Sequence, residues 1–318
     1  IPTKVAYSPC TLRRALVEAS ALSDLDPGAE PILIKFNIPT SDDGYDSVLG
    51  AWTIELYDTI VTYALPRMDG NQITLDGDTQ GEIGGRTDGP KIIVRGPAGN
   101  QQGMPIDGDQ NVIRGLAFQT LRTYLYLNGD DNVVEDNWFG LTDDGEDIHL
   151  RNELHPEDGS GYTGIDFAGG LTGAMGNTVR RNVFAGFTGV AAAVKGRQNV
   201  FAGNYVGTVA DGTVPLPGYF DQHPCLDEVW LGGSGISVAD RDHQIGGPNE
   251  ADGNLFAGLY LELFEMSTQP PAVDVGSGQG HLIQNNVIGL DAEDHVIGVC
   301  GRGLDFANGP ADMDVISN

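Results

Sequence analysis

Basic residues are scarce in this sequence, and a long hydrophobic run is missing altogether. Its 318 residues contain 17 Lys and Arg against 45 Asp and Glu, which gives a formal net charge of −28. Nucleic acids and anionic membranes bind basic surfaces, so we expect neither as a partner. Because no stretch of about 18 apolar residues occurs, we also expect no membrane-spanning segment. The acidity itself indicates a strongly solvated surface in salty water, cation binding, or both.

Cysteine is almost as scarce. Cys10, Cys225 and Cys300 allow at most one internal disulfide and leave one thiol over. Cys225 and Cys300 can pair only if a long loop leans across several repeats, since bridged Cα atoms lie about 6 Å apart, and the sequence leaves that pairing open. The first residues do not resemble a signal peptide, so we expect any secretion signal to have been removed already.

The dominant feature of the sequence is a ten-residue pattern that begins with asparagine. Its clear copies are N-V-V-E-D-N-W-F-G-L at 132–141, N-T-V-R-R-N-V-F-A-G at 177–186, N-V-F-A-G-N-Y-V-G-T at 199–208 and H-L-I-Q-N-N-V-I-G-L at 281–290. A weaker copy starts at Asn111 and another surrounds Gln244. From Asn111 to Gln244 the successive starts are 21, 45, 22 and 45 residues apart. This spacing predicts a repeat of about 22 residues in which some copies are degenerate.

A step of about 22 residues is typical of one coil of a parallel β-helix. Apolar and polar residues alternate within each copy, and β-branched and aromatic residues dominate, as in strands. The leucine ladder of leucine-rich repeats is absent. We therefore predict an all-β, right-handed parallel β-helix with about eight coils, or roughly 37 Å of axis, between Asn111 and His281. We expect the asparagines to line up in a column and to bond from coil to coil.

A short helix precedes the repeats. Residues 8–22 have a helical apolar face, with Ser8 as N-cap and Pro9 in the first turn. The face comprises Leu12, Ala15, Leu16, Ala19 and Leu22. Since the first coil of a solenoid exposes apolar core, we expect this helix to cover it. Strands are predicted at 31–38, 52–56, 72–75 and 91–95.

Two regions follow from this pattern. Residues 1–50 form an N-terminal cap that is continuous with the β-helix, and residues 51–318 form its coils. Longer inserts interrupt the coils near 149–162 and 216–232. Because the inserts leave the repeat at equal offsets, we expect a ridge of loops on one side, where solenoids carry their binding surfaces.

The N-terminal segment resembles that of a known family. C-T-L-R-R-A-L at 10–16 is followed by I-K-F-N-I-P at 34–39, I-T-L-D-G-D-T-Q at 73–80 and P-K-I-I-V-R-G at 90–96. These segments resemble bacterial proteins that carry a CSLREA-type motif ahead of right-handed parallel β-helix repeats, and N-V-I-G-L-D-A-E-D at 286–294 is similar to their repeats. The resemblance implies the same fold and an extracellular or surface-attached protein, without a particular activity. Cys10 lacks the second cysteine that commonly precedes it in that family.

Strands of a second type, opened by glycine, lie between the asparagine copies. They are 164–167, 189–192, 235–238 and 303–306, and 272–275 fits without its glycine. Alternation turns Asp166, Asp274 and Asp305 outward on one sheet.

This sheet carries the candidate catalytic residues. Many right-handed β-helices cleave polysaccharides with paired carboxylates, or with a base beside carboxylate-bound calcium. Asp166 and Asp305 are the candidate acids. The candidate bases are Lys195, Arg197, Arg180 and Arg181. The compact motifs of pectate lyases and polygalacturonases are absent, and aspartates that only solubilise the surface are the alternative.

Acidic clusters follow the repeats and are candidate calcium sites. The candidate ligands are Asp143, Asp144 and Glu146 in one cluster and Asp291, Glu293 and Asp294 in another, with Asp147 and Asp211 in related positions. Hard cations prefer several oxygen ligands, which a short acidic turn supplies. Neither cluster matches a known calcium loop, so solvated turns are the alternative. We expect no required cofactor, with calcium as the ion that the sequence favours.

The inserts themselves contain metal-binding and aromatic side chains. A zinc site would draw on His149, His155, His223, Cys225, Asp227 and Glu228, although no recognisable ligand spacing occurs. Tyr219, Phe220 and Trp230 either stack on sugar rings or pack onto the β-helix.

Two functions are compatible with this sequence. The first is an extracellular or cell-surface structural or adhesive rod, which presents loops to a cell-surface polysaccharide. The sequence stops within a coil at 314–318, so we expect end-to-end assembly with copies of itself. The alternative is a carbohydrate-active enzyme, a polysaccharide lyase or glycosidase, that works on one sheet face.

Overall fold

The structure is a computed structural model that describes most of the chain. It describes residues 11–25, 30–57, 62–81, 86–97, 101–147, 163–170, 172–187, 189–214, 234–259, 271–297, 302–306 and 313–316. Several sequence-based predictions lie outside these ranges. They concern Ser8, Pro9, Cys10, His149, His155, Tyr219, Phe220, His223, Cys225, Asp227, Glu228, Trp230 and Cys300.

The strands form three sheets that we call A, B and C. Sheet A contains β1 (Ile32–Lys35), β4 (Ile73–Asp76), β7 (Val112–Arg114), β10 (Val133–Glu135), β13 (Thr178–Arg180), β16 (Val200–Ala202), β19 (Gln244–Gly246), β22 (Leu282–Gln284) and β25 (Asp314–Ile316). Sheet B contains β2 (Tyr45–Asp46), β3 (Ala51–Glu55), β5 (Ile92–Arg95), β8 (Leu116–Gln119), β11 (Trp138–Phe139), β14 (Val183–Phe184), β17 (Tyr205–Val206), β20 (Leu255–Phe256) and β23 (Val287–Ile288). Sheet C contains β6 (Met104–Ile106), β9 (Thr123–Leu127), β12 (Thr163–Phe167), β15 (Val190–Val194), β18 (Ser234–Val238), β21 (Val273–Val275) and β24 (Leu304–Phe306).

The chain visits the three sheets in turn, and this winding makes the fold a parallel β-helix. One coil consists of β7, β8 and β9, and the next of β10, β11 and β12. Each strand pairs in parallel with its counterpart in the next coil, except that β2 pairs with β3 in antiparallel orientation. The predicted fold class is confirmed, and the early strands begin within about a residue of their predicted positions.

The predicted number of coils is wrong. Strand β10 pairs directly with β13, and the asparagines that precede these strands are 45 residues apart. A spacing of 45 is therefore one coil with an insert between sheets B and C, and not two coils of which one is degenerate. From β7 to β22, sheet A contains six strands and five steps, or about 24 Å of axis.

The interior is a stack of apolar side chains, one layer per coil. Phe118, Phe139 and Phe184 follow one another on sheet B with ring centroids 5.3 and 4.9 Å apart and nearly parallel planes. All three are buried, as are the central residues of the sheet A strands, such as Val134 and Phe201. A single coil is too thin to bury these side chains alone, so stability comes from stacking onto the next coil.

Two columns of asparagines run along the β-helix, and the first of them is the column that the sequence predicted. The first column precedes sheet A and contains Asn111, Asn132, Asn177, Asn199, His243 and His281. The second column lies between sheets A and B and contains Asn137, Asn182, Asn204, Asn254 and Asn286. In the second column, the Asn182 amide N–H donates to Asn204 Oδ1 at 3.0 Å, and Asn204 Nδ2 donates to the Val179 carbonyl at 3.0 Å. Each side chain therefore joins two coils in the buried interior, where an unpaired backbone group is costly.

The predicted N-terminal cap is present as helix α1 (Leu12–Leu25). Leu12, Leu16 and Ala19 are buried against the first coil. The helix begins later than predicted, because Thr11 is its N-cap: the Thr11 hydroxyl accepts a hydrogen bond from the Arg14 amide at 3.2 Å.

The predicted apolar face of α1 needs one correction. Leu22 is 57% exposed, whereas Ser20 is buried and Ser23 exchanges hydrogen bonds with Asn71. The helix face that contacts the first coil thus includes Ser20 and Ser23, and Leu22 lies at the edge of this face. None of the described helices has the length and hydropathy to cross a bilayer.

Candidate functional site

The outer face of sheet B is apolar, although a solvated sheet face is normally polar. Its outward residues in register across five strands are Trp138, Val183, Tyr205, Leu255 and Val287. Their strand neighbours, such as Phe139, occupy the core, so alternation turns this set outward. Trp138, Val183 and Leu255 are nevertheless buried. Other segments of the chain must therefore cover part of this face.

Three turns that follow sheet B in alternate coils provide the cover. They are 142–147 after β11, 209–213 after β17 and 291–295 after β23. The Ala210 amide donates to the Gly145 carbonyl at 3.1 Å, and the Ala292 amide to the Gly212 carbonyl at 3.0 Å. The turns thus stack into one ridge along the axis, which we call the turn wall. The predicted ridge of loops was assigned to the inserts near 149–162 and 216–232, which lie outside the described residues, so it stays a prediction.

The first candidate calcium cluster anchors the turn wall to sheet B. Asp143 accepts hydrogen bonds from Arg95 Nη2 at 2.6 and 2.8 Å and from Gln119 Nε2 at 2.8 Å. Asp144 accepts from the Thr142 hydroxyl at 2.6 Å, and this bond holds the pKa of Asp144 below its ordinary value. These carboxylates are engaged by protein donors that shape the turn.

The second candidate cluster has the same construction. Asp291 is buried and accepts hydrogen bonds from the amides of Glu293 at 3.0 Å and His295 at 2.9 Å. Burial acts to raise the pKa of Asp291, but the bonds from His295 and Glu293 lower it overall. Glu146 and Asp294 are exposed. Within the described ranges, no group of three or more His, Cys, Asp or Glu side chains is placed to hold a metal ion.

An open groove of about 1330 Å³ runs beside the turn wall. Its other side is the corner between sheets A and B, where Asp136, Arg181 and Asn285 have positive φ angles of 56°, 53° and 56°. Its floor is the outward column of sheet B, and it extends from Asp78 after β4 to Asn285 after β22. We call this depression the sheet B groove.

Carboxylates outnumber cations along the sheet B groove. Asp78, Asp136, Glu250, Asp291 and Asp294 line it together with Arg181. Arg181 Nη2 lies 2.7 Å from Asp136 and 2.9 Å from Glu135, and these bonds raise the pKa of the guanidinium. Burial and the charge of Asp76 raise the pKa of Asp78. Among the described residues, the groove is therefore a region of negative potential in which Arg181 is already neutralised.

Arg180 and Arg181 do not share a sheet with Asp166: Arg180 lies on the outer face of sheet A, and Arg181 lies at the corner between sheets A and B. The outer face of sheet A carries Asp76, Arg114, Glu135 and Arg180 in register on successive strands. Their charges alternate, and Arg114 lies 2.6 Å from Asp76 while Arg180 lies 2.7 Å from Glu135. Arg114 and Arg180 are thus partners in an ion-pair ladder between neighbouring coils, and Arg181 adds a contact with Glu135 at 2.9 Å.

Sheet C brings two of the candidate catalytic residues together. Lys195 Nζ donates to Asp166 Oδ1 at 2.7 Å, and both side chains are about one third exposed, at 38% and 34%. Tyr126 is the register neighbour of Asp166, and its ring meets Tyr63 edge-on at 5.7 Å. Burial raises the pKa of Tyr126. Aromatic and charged groups therefore share one patch on this face.

Asp305 and Arg197 do not join that patch. Asp305 lies in the same outward column as Asp166 but four strands along, about 19 Å away. Paired carboxylates of glycosidases are about 5–10 Å apart, so these two do not act on one bond. Asp274 is the register neighbour of Asp305, and burial together with the Asp305 charge raises the pKa of Asp274. Arg197 lies beyond the end of β15, in a bridge column with Arg241.

The sheet B groove was not predicted from the sequence, yet a signal for it exists. After the second asparagine of each copy stand two consecutive apolar residues: W-F at 138–139, V-F at 183–184, Y-V at 205–206, L-F at 255–256 and V-I at 287–288. A strand with one solvated face alternates, so a doubly apolar pair indicates a strand covered on both faces.

Comparison with known proteins identifies no family for this chain. No protein-family model and no curated protein matches the chain. A solved structure, titled as a complex of the alginate lyase AlyF-OU02 with G6, is similar with a TM-score of 0.41 and 11% identity over 86% of this chain and 52% of the lyase chain. The chain thus spans about half of that structure, and a likeness at this level carries no argument about activity. Membership of the CSLREA-type family stays a prediction.

Proposed function

We propose that the protein is an extracellular glycan-binding β-helix that holds an extended polysaccharide chain along the sheet B groove. The observation that carries the proposal is the groove itself: an apolar floor between the turn wall and a polar corner. Binding sites are typically concave and largely apolar, with a few polar groups that orient the ligand. This function is the adhesive form of the rod that the sequence predicts, and the extracellular location follows from the resemblance stated above.

The repeating geometry of the groove favours a polymer over a small ligand. Its floor residues recur once per coil, about 4.8 Å apart, so similar surroundings recur along the axis. Tyr205 and Val287 are the accessible apolar side chains of this floor; Val287 is 39% exposed. A chain of similar sugar units can occupy successive positions in the same way.

Tyr205 is the residue best placed to contact a sugar ring. It is half-buried in the floor, and a Cβ built at Gly212 would lie 2.7 Å from its ring. The second turn of the turn wall therefore packs against one edge of the ring and fixes its orientation. A pre-positioned aromatic face costs little entropy when it stacks on a ligand.

The test is retention of the protein in native gels that contain one soluble polysaccharide each. We expect retention by at least one polysaccharide and about fivefold weaker binding for Tyr205→Ala, because an aromatic contact contributes about 1 kcal/mol. Tyr57→Ala is the matched control, since Tyr57 is 82% exposed and lies outside the groove. The proposal fails if no polysaccharide retains the protein, or if the two variants bind alike.

Cleavage of a polysaccharide on sheet C is the second candidate function. It is supported by the ion pair between Lys195 and Asp166 beside Tyr126. An enzyme releases reducing ends or unsaturated products from a polysaccharide panel, and alanine at Asp166 or Lys195 abolishes them. Absence of products from the whole panel leaves binding in the sheet B groove as the function.

A further inference from the structure

We infer that the sheet B groove selects polymers of amino sugars, whose units carry free ammonium groups. The inference rests on the proposed glycan-binding function and names its ligand class. It is carried by where the groove places its unpaired carboxylates.

Within the part of the chain that the structure describes, three carboxylates of the groove lie without a cationic partner. Among the described residues, Asp78, Glu250 and Asp294 form no ion pair, and no hydrogen bond to their carboxylates is present. A Cβ at Gly115 would lie 2.5 Å from Asp78 Oδ1, so the absence of a side chain there is what leaves room for this carboxylate. Partial burial and the charge of Asp76 raise the pKa of Asp78, and a bound cation would act in the opposite direction.

The three carboxylates are distributed along both sides of the groove. Asp78 follows β4, and Glu250 lies between β19 and β20, five strand steps further along, or about 24 Å. Asp294 belongs to the third turn of the turn wall, on the opposite side. A ligand that satisfies all three must carry cations at intervals along an extended chain, and one terminal charge does not suffice.

The same distribution disfavours acidic polysaccharides. A uronate polymer would bring its carboxylates against these side chains, within a protein of net charge −28. Arg181 offers no compensation, because Asp136 and Glu135 already bind it. Among the described residues, no group of three or more His, Cys, Asp or Glu side chains could hold a metal ion that bridges the protein to a uronate.

A basic peptide is less well suited than a glycan. An extended peptide usually adds to an open sheet edge, where it gains main-chain hydrogen bonds. Strands β11, β14, β17 and β20 of the floor are paired on both sides and have no open edge. What the floor does offer is the half-exposed ring of Tyr205, which suits the flat face of a sugar.

The experiment compares three hexasaccharides of equal length by isothermal titration calorimetry in mildly acidic, low-salt buffer. They are β-1,4-linked glucosamine, its fully N-acetylated form and galacturonate. We expect glucosamine hexamer to bind at least tenfold more tightly than the neutral hexamer, galacturonate hexamer not to bind, and added salt to weaken the first complex. The triple variant Asp78→Asn, Glu250→Gln, Asp294→Asn should lose about tenfold in affinity for glucosamine hexamer, because each exposed charge contact contributes about 0.5 kcal/mol.

The matched control is the triple variant Glu30→Gln, Asp43→Asn, Asp314→Asn, which changes the net charge equally at exposed positions outside the groove. It should bind glucosamine hexamer as the unmodified protein does. Equal losses of affinity in both triple variants would show that net charge alone causes the effect and would overturn the inference.

Equal binding of the neutral and amino hexamers, or tighter binding of galacturonate, overturns the inference but leaves glycan binding intact. If none of the three hexasaccharides binds, the inference fails, and the native gels with polysaccharides then decide whether the groove binds a glycan at all. If an oligolysine peptide binds and glucosamine hexamer does not, the groove binds a basic peptide, and the inference is overturned.

Discussion

The two side-chain columns of the β-helix differ at one end, and the difference shows what a neutral amide contributes. The second column is asparagine in every coil from Asn137 to Asn286, whereas the first column ends in His243 and His281. The histidines make the same contact: the Asn199 amide N–H donates to His243 Nδ1 at 3.2 Å. The two imidazoles stack at 5.3 Å. An amide oxygen accepts this bond at any pH, but an imidazole accepts it only while it is neutral.

The largest effect is expected from removing an amide within the second column. Asn204→Leu should lower the free energy of unfolding by roughly 4 kcal/mol, because it leaves the buried Asn182 N–H and Val179 carbonyl unpaired. Chemical denaturation measures the loss. The control is Asn128→Leu at an exposed asparagine, for which we expect a change within about 0.5 kcal/mol. Similar losses for both variants would show that the column does not stabilise the stack.

The second-largest effect is expected at acidic pH, where the first column should lose stability that the second column keeps. Burial lowers the pKa of His243 to about 4, and the nearby His281 adds to this effect, against the opposing charges of Asp240 and Asp242. His243 therefore takes up a proton near pH 6.5 in the unfolded chain, but only near pH 4 in the folded chain. The contribution of His243 is complete above about pH 6.5 and is lost as the pH falls toward 4, by about 3 kcal/mol.

The measurement is the free energy of unfolding from pH 8 to about pH 4 for the unmodified protein and for His243→Asn. The variant restores an amide at this position and should flatten most of the decline between pH 6.5 and 4. Stability curves with the same slope in both proteins would contradict the assignment of acid sensitivity to this ring.

A smaller effect is expected for a charged contact outside the columns. Glu135 is 9% exposed and lies within 3 Å of Arg180 and Arg181, so Glu135→Gln should cost about 1–2 kcal/mol. Salt should shrink that cost, whereas the cost of Asn204→Leu should be salt-independent. Glu18→Gln, in the exposed pair with Arg14, is the control and should change stability by less than about 0.5 kcal/mol. If the loss of stability in Glu135→Gln does not depend on salt, Glu135 stabilises the protein through packing and not through its charge.

The smallest effect is expected for His243→Asn at neutral pH. The neutral ring and the amide accept the same N–H bond, so the free energy of unfolding should change by less than about 1 kcal/mol. A large loss in thermal or chemical denaturation at neutral pH would mean that stacking on His281, and not the hydrogen bond, is the main contribution of this ring.

The sequence predicted the fold because its signals are local. The recurring asparagines, the alternation of the strands and the apolar face of α1 all follow from short segments, and each is confirmed within a few residues. The number of coils was wrong because a spacing of 45 residues is compatible with two coils or with one coil and an insert. Only the direct pairing of β10 with β13 distinguishes them.

The candidate site was less predictable for a related reason. Lys195 and Asp166 lie 29 residues apart, and the sequence did place both near sheet C, where they form an ion pair. Asp305 was placed in the correct column, but nothing in its own segment shows that four strands separate it from Asp166. The acidic turns were recognisable, yet their partners, such as Arg95 for Asp143, come from a coil 48 residues earlier.

The sequence by itself determined that this chain coils, which residues face inward, and where asparagine turns each coil, since these depend on the conformation of a few adjacent residues. Only the tertiary structure decided that three turns from alternate coils stack beside sheet B and border an open groove with carboxylates along both of its sides. The physical reason is that this surface is made of contacts between coils, and the length of each insert, which local preferences do not specify, sets which residues meet.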